Sequence, residues 1–431
     1  MSETTNKSVL IIAYYWPPSG GAGVQRWVKL TKYLSRMGVK CYVLTVDEKQ
    51  ASYMQIDRSL SKDIDKTIQV YRTNSWEPIM IYAKIFGKHN VPTAGFSNVD
   101  NSTLKQKTTN FIRSNLFIPD PRKGWNKYAI KKAKELINEH TIDTVITTSP
   151  PHSSQLIGRT LKRWRPNIHW IADLRDPWTD IYYYGLLNHS KLSNYINKNM
   201  ERSVLKESDQ IITVSEGFKK LFANKIPGLS EKIEVIHNGY DHEDFIGLDK
   251  NKSNNHKFVI TYTGTMSEQY NPTVIIDTIS ELNVEFKERE ISLQIIGQIS
   301  NDIREKIKRK IPFDLPGSVP HNQVNSYQVR ADCLLLIIPE IENGEGIIPG
   351  KLFEYLATRN PILGLGPSQS SANEILQKHR LGKVFARTDK KEIKKFLKDL
   401  IQKKQIGEDN SQDLSYYSRA SQAKRYLKYI K

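Results

Sequence analysis

The chain has 431 residues, and its 64 Lys and Arg against 46 Asp and Glu give a formal net charge of +18. This length exceeds what one hydrophobic core supports, so we expect two domains, and the charge predicts an anionic partner: nucleic acid, a membrane surface or phosphorylated small molecules. The two cysteines, Cys41 and Cys333, are too few for a disulfide framework. The sequence shows no signal-peptide pattern and no apolar run of ~18 residues, so we expect a cytoplasmic protein.

A predicted strand from Ser8 to Tyr15 opens the chain, and a helix with apolar residues at helical spacing follows it. Between them lies the loop Pro-Pro-Ser-Gly-Gly-Ala-Gly, in which Gly20 and Gly21 would let the backbone approach a ligand closely. The spacing is not that of the dinucleotide fingerprint Gly-x-Gly-x-x-Gly, so it does not indicate nicotinamide or flavin binding. A plain tight turn is the alternative interpretation. The next strand spans Lys40 to Val46.

Residues 51–120 have no sustained periodicity and resemble a long insertion, after which strands and helices alternate again. Two of the following strands end in polar motifs, Ser-Pro-Pro-His at 149–152 and Asp-Leu-Arg-Asp-Pro-Trp at 173–178. Because ligands lie beyond the carboxyl ends of parallel strands, we expect these motifs to face a bound ligand; their candidates are His152, Asp173, Arg175 and Asp176. The alternatives are that Asp173 caps a loop, that Arg175 pairs with Asp176, and that His152 is an ordinary histidine.

A polar stretch at 249–257 is the predicted linker, and a second series of strands and helices follows it. In this series the apolar run 332–338 predicts a buried parallel strand, and a helix begins near Gly350. The free amides at this helix start favour an anion, Lys351 adds a positive charge, and Glu354 is able to accept hydrogen bonds from sugar hydroxyls. We interpret the stretch as a phosphate-and-sugar site; an ordinary βαβ unit with solvated side chains is the alternative.

These motifs, in this order, resemble those of family 4 glycosyltransferases of the GT-B type. The similarity covers nearly the whole chain apart from about 51–110, and its 149–152 and 173–178 motifs resemble a bacterial branch concerned with cell-surface polysaccharides. The resemblance implies an α/β fold of two Rossmann-like domains that face each other across a cleft. It assigns residues 1–247, with a C-terminal helix at 412–431, to an acceptor domain and residues 248–411 to a nucleotide-sugar donor domain.

The resemblance further implies a retaining, metal-independent hexosyltransferase that moves a sugar from a nucleotide diphosphate donor to an acceptor hydroxyl, without a cofactor. Glu354 matches the second glutamate of the family's Glu-x7-Glu pattern, but Gly346 stands at the first position and Glu345 lies one residue away. The family's Arg and Lys after Gly264 are absent, and Lys351 is the best remaining cation for the diphosphate. The predicted catalytic residues are His152, Asp173 and Lys351, and the predicted donor-binding residues are Gly20, Gly21, Gly264, Glu345, Gly350, Lys351 and Glu354. Arg175 and Asp176 are predicted on the acceptor side.

The expected partners are a nucleotide sugar, a glycan or lipid-linked acceptor, and an anionic membrane surface. A nucleic-acid-binding protein is the competing class, but the basic residues are spread along the chain and no nucleic-acid-binding motif accompanies them, so we expect no nucleic acid. Two further alternatives keep the fold: a sugar-binding relative without catalysis, and a GT-B epimerase or phosphorylase.

The segment from Lys105 to Lys127 predicts where the protein works, because it contains six basic residues against the single acid Asp120. Large apolar residues are interleaved with them, among them Phe111 and Trp125. This composition predicts peripheral attachment to the inner face of the cytoplasmic membrane. Packing of the apolar residues onto the first domain, with the charges solvated, is the alternative.

Overall fold

The computed structural model describes residues 7–53, 55–77, 111, 114–181, 183–249, 256–341, 344–402 and 413–431. The chain forms two compact units, Met1–Asn238 together with Arg419–Lys431, and Gly239–Ser418. Each contains one parallel sheet whose successive strands are joined through helices, so the predicted α/β fold of Rossmann-like domains is confirmed. The chain passes between units at Asn238 and at Ser418, whereas the boundaries expected from the sequence lie at 247 and 411.

The first unit has a seven-stranded sheet in the order β3-β2-β1-β4-β5-β6-β7. Its strands are β1 Ser8–Ile12, β2 Lys40–Val46, β3 Gln69–Thr73, β4 Thr144–Ser149, β5 His169–Leu174, β6 Gln210–Thr213 and β7 Ile233–Val235. Its described α-helices are α1 Ala22–Arg36, α2 Asn126–Glu139, α3 Ser153–Trp164, α4 Lys191–Glu207, α5 Glu216–Ala223 and, near the C-terminus, α12 Arg419–Leu427. The direction of winding reverses between β1 and β4, which are neighbours in the sheet.

Both faces of this sheet are covered, which explains why the central strands are continuously apolar. Val9 and Ile11 of β1 pack with α1 and α12 on one face, whereas Leu10 and Ile12 pack with α2 and α3 on the other. The edge strand β3 was missed in the sequence because most of its residues are partly or fully exposed and no apolar run marks it.

The second unit has a six-stranded sheet in the order β10-β9-β8-β11-β12-β13. Its strands are β8 Lys257–Thr263, β9 Glu290–Ile296, β10 Phe313–Gly317, β11 Cys333–Ile337, β12 Ile362–Leu365 and β13 Gly382–Phe385. Its described α-helices are α6 Thr273–Glu285, α7 Asn301–Lys308, α8 His321–Arg330, α9 Lys351–Thr358, α10 Ser371–Lys378 and α11 Lys390–Ile401. Here the winding reverses between β8 and β11. Ligands in folds of this kind bind beyond the carboxyl ends of the strands at such a reversal.

The C-terminal helix is shorter than the predicted 412–431. A 3-10 turn at Ser415–Tyr417 precedes it, and Tyr417 packs against Phe353 in the second unit. The α-helix begins only at Arg419 and contributes Ala423 and Tyr426 to the core of the first unit. The apolar residues that predicted one helix therefore belong to two cores.

Candidate functional site

Lys351 of the second unit lies at the reversal between β8 and β11. Its Nζ is 3.9 Å from the centroid of the Tyr262 ring, a cation–π contact at the end of β8. A Cβ atom added to Gly264 would lie 3.0 Å from the same Nζ, so the amine rests directly against the backbone of that glycine. The structure thus brings together Lys351 and Gly264, two predicted donor-binding residues that are distant in the sequence.

Burial changes the ionisation of this amine. It lowers the pKa of Lys351 to about 7 because the charged form loses water, and the nearby carboxylate of Glu354 opposes this effect only in part. The amine is therefore less readily protonated than an ordinary lysine. An anion placed beside Lys351 would favour the protonated form, so the site is arranged to gain charge when a phosphate binds.

Two glycines after adjacent strands bring the backbone into close contact beside Lys351. Gly264 and Gly297 have φ of +112° and +137°, which favour glycine. A Cβ atom on Gly297 would lie 2.3 Å from the Gly264 carbonyl oxygen, and the Gly264 amide donates to the Ile296 carbonyl at 2.8 Å. The absence of side chains at these turns lets the Lys351 amine lie against Gly264 and lets the Gly264 backbone lie against Gly297.

Glu354 lies one turn along α9 and is held by a residue that the sequence did not reveal. Nε2 of the buried Gln328 donates to Glu354 Oε2 at 2.9 Å and to Thr263 Oγ1 at 3.3 Å. The amide therefore connects β8, α8 and α9 and orients the carboxylate. Gln328 lies in a helix rich in polar residues, where no spacing distinguishes it from its neighbours.

The other two predicted donor-site residues in this unit differ in their surroundings. Gly350 is the N-cap of α9 and has helical backbone angles. Glu345 lies on the single 3-10 turn Gly344–Gly346 with its side chain exposed, whereas Gly346, which stands at the family's first glutamate position, is buried. The backbone turn therefore presents Glu345 to solvent.

In the first unit, the glycine loop after β1 ends at the N-terminus of α1. Gly21 is the N-cap of α1 and has a φ of +103°. A Cβ atom at Gly21 would have no described atom within 4 Å. The preceding residue Gly20 is held more closely, because its amide donates a hydrogen bond to the Gln55 carbonyl at 2.9 Å. Gly23 has a different role, because a Cβ atom there would lie 2.1 Å from Arg175 Nη1. The loop is open at Gly21 and closely packed at Gly23.

Asp173 is entirely buried at the end of β5. Its carboxylate accepts hydrogen bonds from Trp27 at 3.0 Å, Thr148 at 2.7 Å and Tyr426 at 2.6 Å, and pairs with the buried Arg26 at 3.2 Å. Burial alone would raise the pKa of Asp173, but Arg26 and the hydrogen bonds hold it below its ordinary value. This carboxylate therefore joins α1, β4 and α12 to the end of β5 with no exposed surface, and its predicted catalytic role stays a prediction.

His152 stacks on Trp178, with ring centroids 5.0 Å apart and planes at 12°. Burial, with smaller contributions from Arg175 and Lys225, lowers the pKa of His152 to about 3. An imidazole of such low basicity is neutral near pH 7 and is a poor general base. The catalytic role predicted for His152 stays a prediction, and the neutral ring is able to both donate and accept a hydrogen bond.

Arg175 and Asp176, the predicted acceptor-side residues, follow Asp173 in the loop after β5. Arg175 Nε donates to the Ser149 carbonyl at 2.9 Å, which joins the loops that follow β4 and β5. Burial lowers the pKa of Arg175 and raises the pKa of Asp176, and each group partly offsets the shift of the other. The two groups thus influence each other electrostatically, and Arg175 alone donates a hydrogen bond to the end of β4.

Across the part of the chain that the structure describes, no group of three or more His, Cys, Asp and Glu side chains is arranged to hold a metal ion. Residues 63–65 read Asp-Ile-Asp, but both carboxylates have partners within the protein. Asp63 pairs with Lys29 at 3.1 Å, and Asp65 accepts hydrogen bonds from the amide and hydroxyl of Thr67.

Comparison with known proteins identifies the fold, and one segment of the chain matches a family model. The model of the family described as Glycosyltransferase Family 4 matches residues 96–244. None of the curated proteins matches the sequence. A solved glycosyltransferase from Rickettsia africae ESF-5 aligns with 99% of this chain and 94% of its own at 15% identity and a TM-score of 0.57.

Two other solved structures have the same architecture. Sucrose-phosphate synthase from Thermosynechococcus elongatus aligns over 98% of both chains at 11% identity, with a TM-score of 0.59. A TarM variant from S. aureus, in complex with Fondaparinux, alpha-GlcNAc-glycerol and UDP, aligns over 98% of this chain and 99% of its own at 11% identity, with a TM-score of 0.55. At these identities the alignments show the fold, which is GT-B. The family match covers one segment, nearly all of it in the first unit, and the GT-B fold extends over both units.

Proposed function

We propose that the protein transfers a hexosyl group from a nucleoside diphosphate sugar to a hydroxyl group of a glycan or lipid-linked acceptor, with retention at the anomeric carbon. The observation that carries this proposal is the contact of the Lys351 amine with Gly264 and Tyr262 at the reversal of the second sheet. UDP and alpha-GlcNAc-glycerol are bound in the S. aureus TarM variant of the same fold, which supports a nucleotide donor here. We further propose that the product belongs to a cell-surface polysaccharide.

The chemistry follows from where negative charge develops. The acceptor oxygen forms a bond to the anomeric carbon as the bond to the diphosphate oxygen breaks, its proton passes to the departing diphosphate, and the sugar passes through an oxocarbenium-like state. The departing diphosphate gains charge, which the Lys351 ammonium and the amides at the start of α9 would stabilise. Glu354, oriented by Gln328, would hold the ribose hydroxyls. Because fixed cations take up the charge in this scheme, we propose that no metal ion is needed.

The test of this proposal is release of nucleoside diphosphate from a panel of nucleotide sugars, first with the wild-type protein. Lys351→Ala should lower the turnover number by about a hundredfold, since a charge that stabilises a developing anion contributes about 2.7–4 kcal/mol. Lys378→Ala, which removes an exposed lysine of the same unit, is the matched control and should leave turnover unchanged. Equal turnover in both variants would exclude the proposed donor site.

The same assay separates the alternatives that share the fold. A non-catalytic relative would bind a nucleotide sugar without releasing the nucleoside diphosphate. An epimerase would change the sugar without an added acceptor. Only a transferase requires both donor and acceptor for a new glycosidic bond, which mass spectrometry of the product would detect.

A location on the inner face of the cytoplasmic membrane is the second part of the proposal. Lys105, Lys107 and Arg113 of the predicted basic segment lie outside the described residues. Trp125 and Arg122 are buried, so they do not contribute to a membrane surface. No helix in the described part of the chain has the length and apolar character needed to cross a bilayer.

Exposed apolar residues nevertheless cluster on two connected segments of the first unit. Phe111 is 50% exposed and Leu116 is 73% exposed. Asn115, next to Leu116, connects this segment to the start of α4, because Ser190 N donates a hydrogen bond to Asn115 Oδ1 at 2.7 Å. Three further exposed apolar residues are Leu186, which precedes α4, and Leu192 and Tyr195, which lie in α4. We propose that these five residues, the apolar patch, enter the membrane surface, attracted to anionic lipid by the net charge of +18.

Sedimentation with vesicles containing anionic lipid tests this location. The double variant Leu116→Ser, Leu192→Ser should sediment several-fold less than the wild type, because about 25 cal/mol is lost per Å² of apolar area withdrawn from the membrane. Val284→Ser removes an equally exposed apolar residue from the second unit and is the control. Absence of wild-type sedimentation at low salt would refute membrane attachment without affecting the proposed reaction.

A further inference from the structure

The loop that follows β8 in the second unit carries no positive charge of its own. No Lys or Arg occurs from Phe258 to Phe286, a stretch that contains the loop at 264–272 and the whole of α6. The diphosphate of a nucleotide sugar bears a negative charge on each phosphate group, whereas Lys351 supplies a single amine whose pKa burial lowers to about 7. A diphosphate beside Gly264 would therefore be only partly neutralised by Lys351.

Arg387 brings a second cation to this loop from another strand of the sheet. It lies two residues after the edge strand β13, yet its Nη2 lies 3.4 Å from the Tyr270 carbonyl oxygen and 3.5 Å from the Ile338 carbonyl oxygen. Tyr270 belongs to the loop after β8, and Ile338 directly follows β11. The guanidinium therefore contacts the chain beyond the carboxyl ends of both strands at which the winding reverses, where folds of this kind bind ligands.

Lys351 and Arg387 contact different parts of the same loop. The Lys351 amine rests against Gly264 at the start of the loop, and Arg387 reaches Tyr270 near its end. Two cations along one loop fit an extended anion better than a single compact one. A diphosphate, which consists of two linked phosphate groups, belongs to that class of ligand.

The carboxylate that pairs with Arg387 is the more exposed member of the pair. Glu340 Oε2 lies 3.0 Å from Arg387 Nη1, and the side chains are 45% and 17% exposed, respectively. The two hydrogen bonds from Nη2 to carbonyl oxygens are near the upper limit of length and are therefore weak. An ion pair with an exposed partner contributes little to stability, so this contact alone does not explain a largely buried arginine.

Glu340 is able to leave the guanidinium without leaving either charge unsolvated. Its carboxylate would move into water, whereas the guanidinium stays charged under all conditions and would require another anion. A phosphate group suits it, because the planar guanidinium donates two parallel hydrogen bonds to phosphate oxygens. The exchange would also release the chain at Glu340, which leads through Glu345 to the start of α9, from its contact with Arg387.

We propose that Arg387 is a donor-binding residue that exchanges Glu340 for the diphosphate of the nucleotide sugar. Glu340 occupies the guanidinium in the absence of nucleotide and competes with the nucleotide for it. The inference rests on the proposed function, because it adds a cation and an internal competitor to the donor site of that transferase.

Calorimetric titration with ADP, GDP, UDP and dTDP tests this exchange without an acceptor or turnover. At least one of these nucleotides should bind the wild-type protein. Arg387→Met should weaken that binding about tenfold or more, because a hydrogen bond to a charged group is lost. Glu340→Gln should strengthen it several-fold, because the competing carboxylate is gone. A purely structural ion pair would give the same direction in both variants, since each removes the same contact.

Two matched controls separate the local exchange from a change in net charge. Arg309→Met and Glu288→Gln alter the charge by the same amounts at exposed positions that precede β10 and β9, at the opposite end of the strands. Both should leave nucleotide binding unchanged. Glu340 is largely exposed, so Glu340→Gln provides a test even if Arg387→Met proves unstable in a circular dichroism melt.

The outcomes distinguish this inference from the proposed function. Unchanged or weaker binding in Glu340→Gln, or unchanged binding in a folded Arg387→Met, would overturn the exchange while the Lys351 site stands. If the wild-type protein binds none of the nucleotides, the donor site itself is excluded and the inference with it.

Discussion

Arg26 Nη2 lies 3.2 Å from Asp173 Oδ1, and neither side chain has any exposed surface. Arg26 also donates to the carbonyls of Ile236 and His237 and to the hydroxyl of Tyr426. This ion pair therefore connects α1 with β5, with the chain that follows β7, and with α12. Residues near both ends of the sequence depend on it for their place in the first unit.

Removal of one partner should destabilise the first unit strongly. Asp173→Ala leaves the Arg26 charge buried without its carboxylate, which costs about 3–5 kcal/mol in the free energy of unfolding. Arg163→Ala breaks a largely exposed ion pair with Glu207 in the same unit and should cost no more than about 1 kcal/mol. Urea denaturation measures both, and similar losses in the two variants would contradict the anchoring role of Asp173.

The depressed pKa of Asp173 predicts a loss of stability in acid. The group binds a proton less readily in the folded than in the unfolded state, where its pKa is about 3.9. Its contribution is therefore present above that value and is lost as the pH falls through the folded pKa. Unfolding free energies of wild type and Asp173→Asn, measured from pH 6 downwards, should converge at the acid end. A constant difference would contradict this assignment.

The role of Asp173 shows what the sequence was unable to provide. Its polar motif at a strand end predicted a residue that faces a ligand, whereas the structure buries it with partners Arg26 and Tyr426, which lie 147 and 253 residues away. A hydrogen-bond network over such separations leaves no local pattern. Arg122 illustrates the same limit, because a charged residue in a basic segment is expected at the surface and is instead buried.

Lys351 and Glu354 were predictable because their information is local. A buried strand, a glycine and proline loop and a helix start follow one another within the stretch from Cys333 to Glu354, and each is visible in the sequence. The parallel sheets also follow from the alternation of strands and helices, whereas the edge strand β3 was not predicted because it has no buried run. The contact between Lys351 and Gly264 was not predictable from the sequence, because it joins residues that only the fold brings together.

The pKa of about 7 at Lys351 predicts that donor binding takes up a proton. A bound diphosphate raises the pKa of the amine, so above pH 7 each binding event must first protonate it. Between pH 7.5 and 9 the affinity for a nucleoside diphosphate should fall by up to about tenfold per pH unit. Calorimetry in two buffers of different ionisation enthalpy should detect the proton that is taken up.

Two variants isolate the source of this pH dependence. Lys351→Ala should bind the nucleoside diphosphate weakly and without a slope over the same range. In Lys351→Arg the guanidinium remains charged throughout, so its affinity should also be independent of pH. If Lys351→Ala retains the wild-type slope, the titrating group is not Lys351.

Glu354 is predicted to hold the ribose hydroxyls, and a nucleotide lacking one of them tests this directly. In the wild-type protein a 2′-deoxynucleoside diphosphate should bind about 1.5–3 kcal/mol more weakly than the ribonucleotide, because a hydrogen bond to a charged group is lost. In Glu354→Ala the two ligands should bind equally. A deoxy penalty that persists in the variant would show that another residue contacts the ribose.

The contact between Gly297 and Gly264 predicts that the donor site depends on a residue that touches no ligand in the proposed scheme. Gly297→Ala places a Cβ atom 2.3 Å from the Gly264 carbonyl oxygen in a backbone conformation with φ of +137°. Because this neighbour is backbone and cannot rotate away, the turn after β8 must move, and with it the surface against which Lys351 rests. We expect a loss of about 3 kcal/mol or more in stability, together with weaker nucleoside diphosphate binding.

Gly317→Ala separates the collision from the cost of a positive φ. Gly317 ends the neighbouring strand β10 with φ of +80°, and within the described chain no atom lies within 4 Å of the point that its Cβ atom would occupy. Its substitution should cost only the conformational strain, about 1 kcal/mol, and leave binding unchanged. Denaturation and calorimetry on both variants give the comparison. If Gly317→Ala weakens nucleoside diphosphate binding as much as Gly297→Ala does, the effect comes from strain at the sheet edge and not from displacement of Gly264.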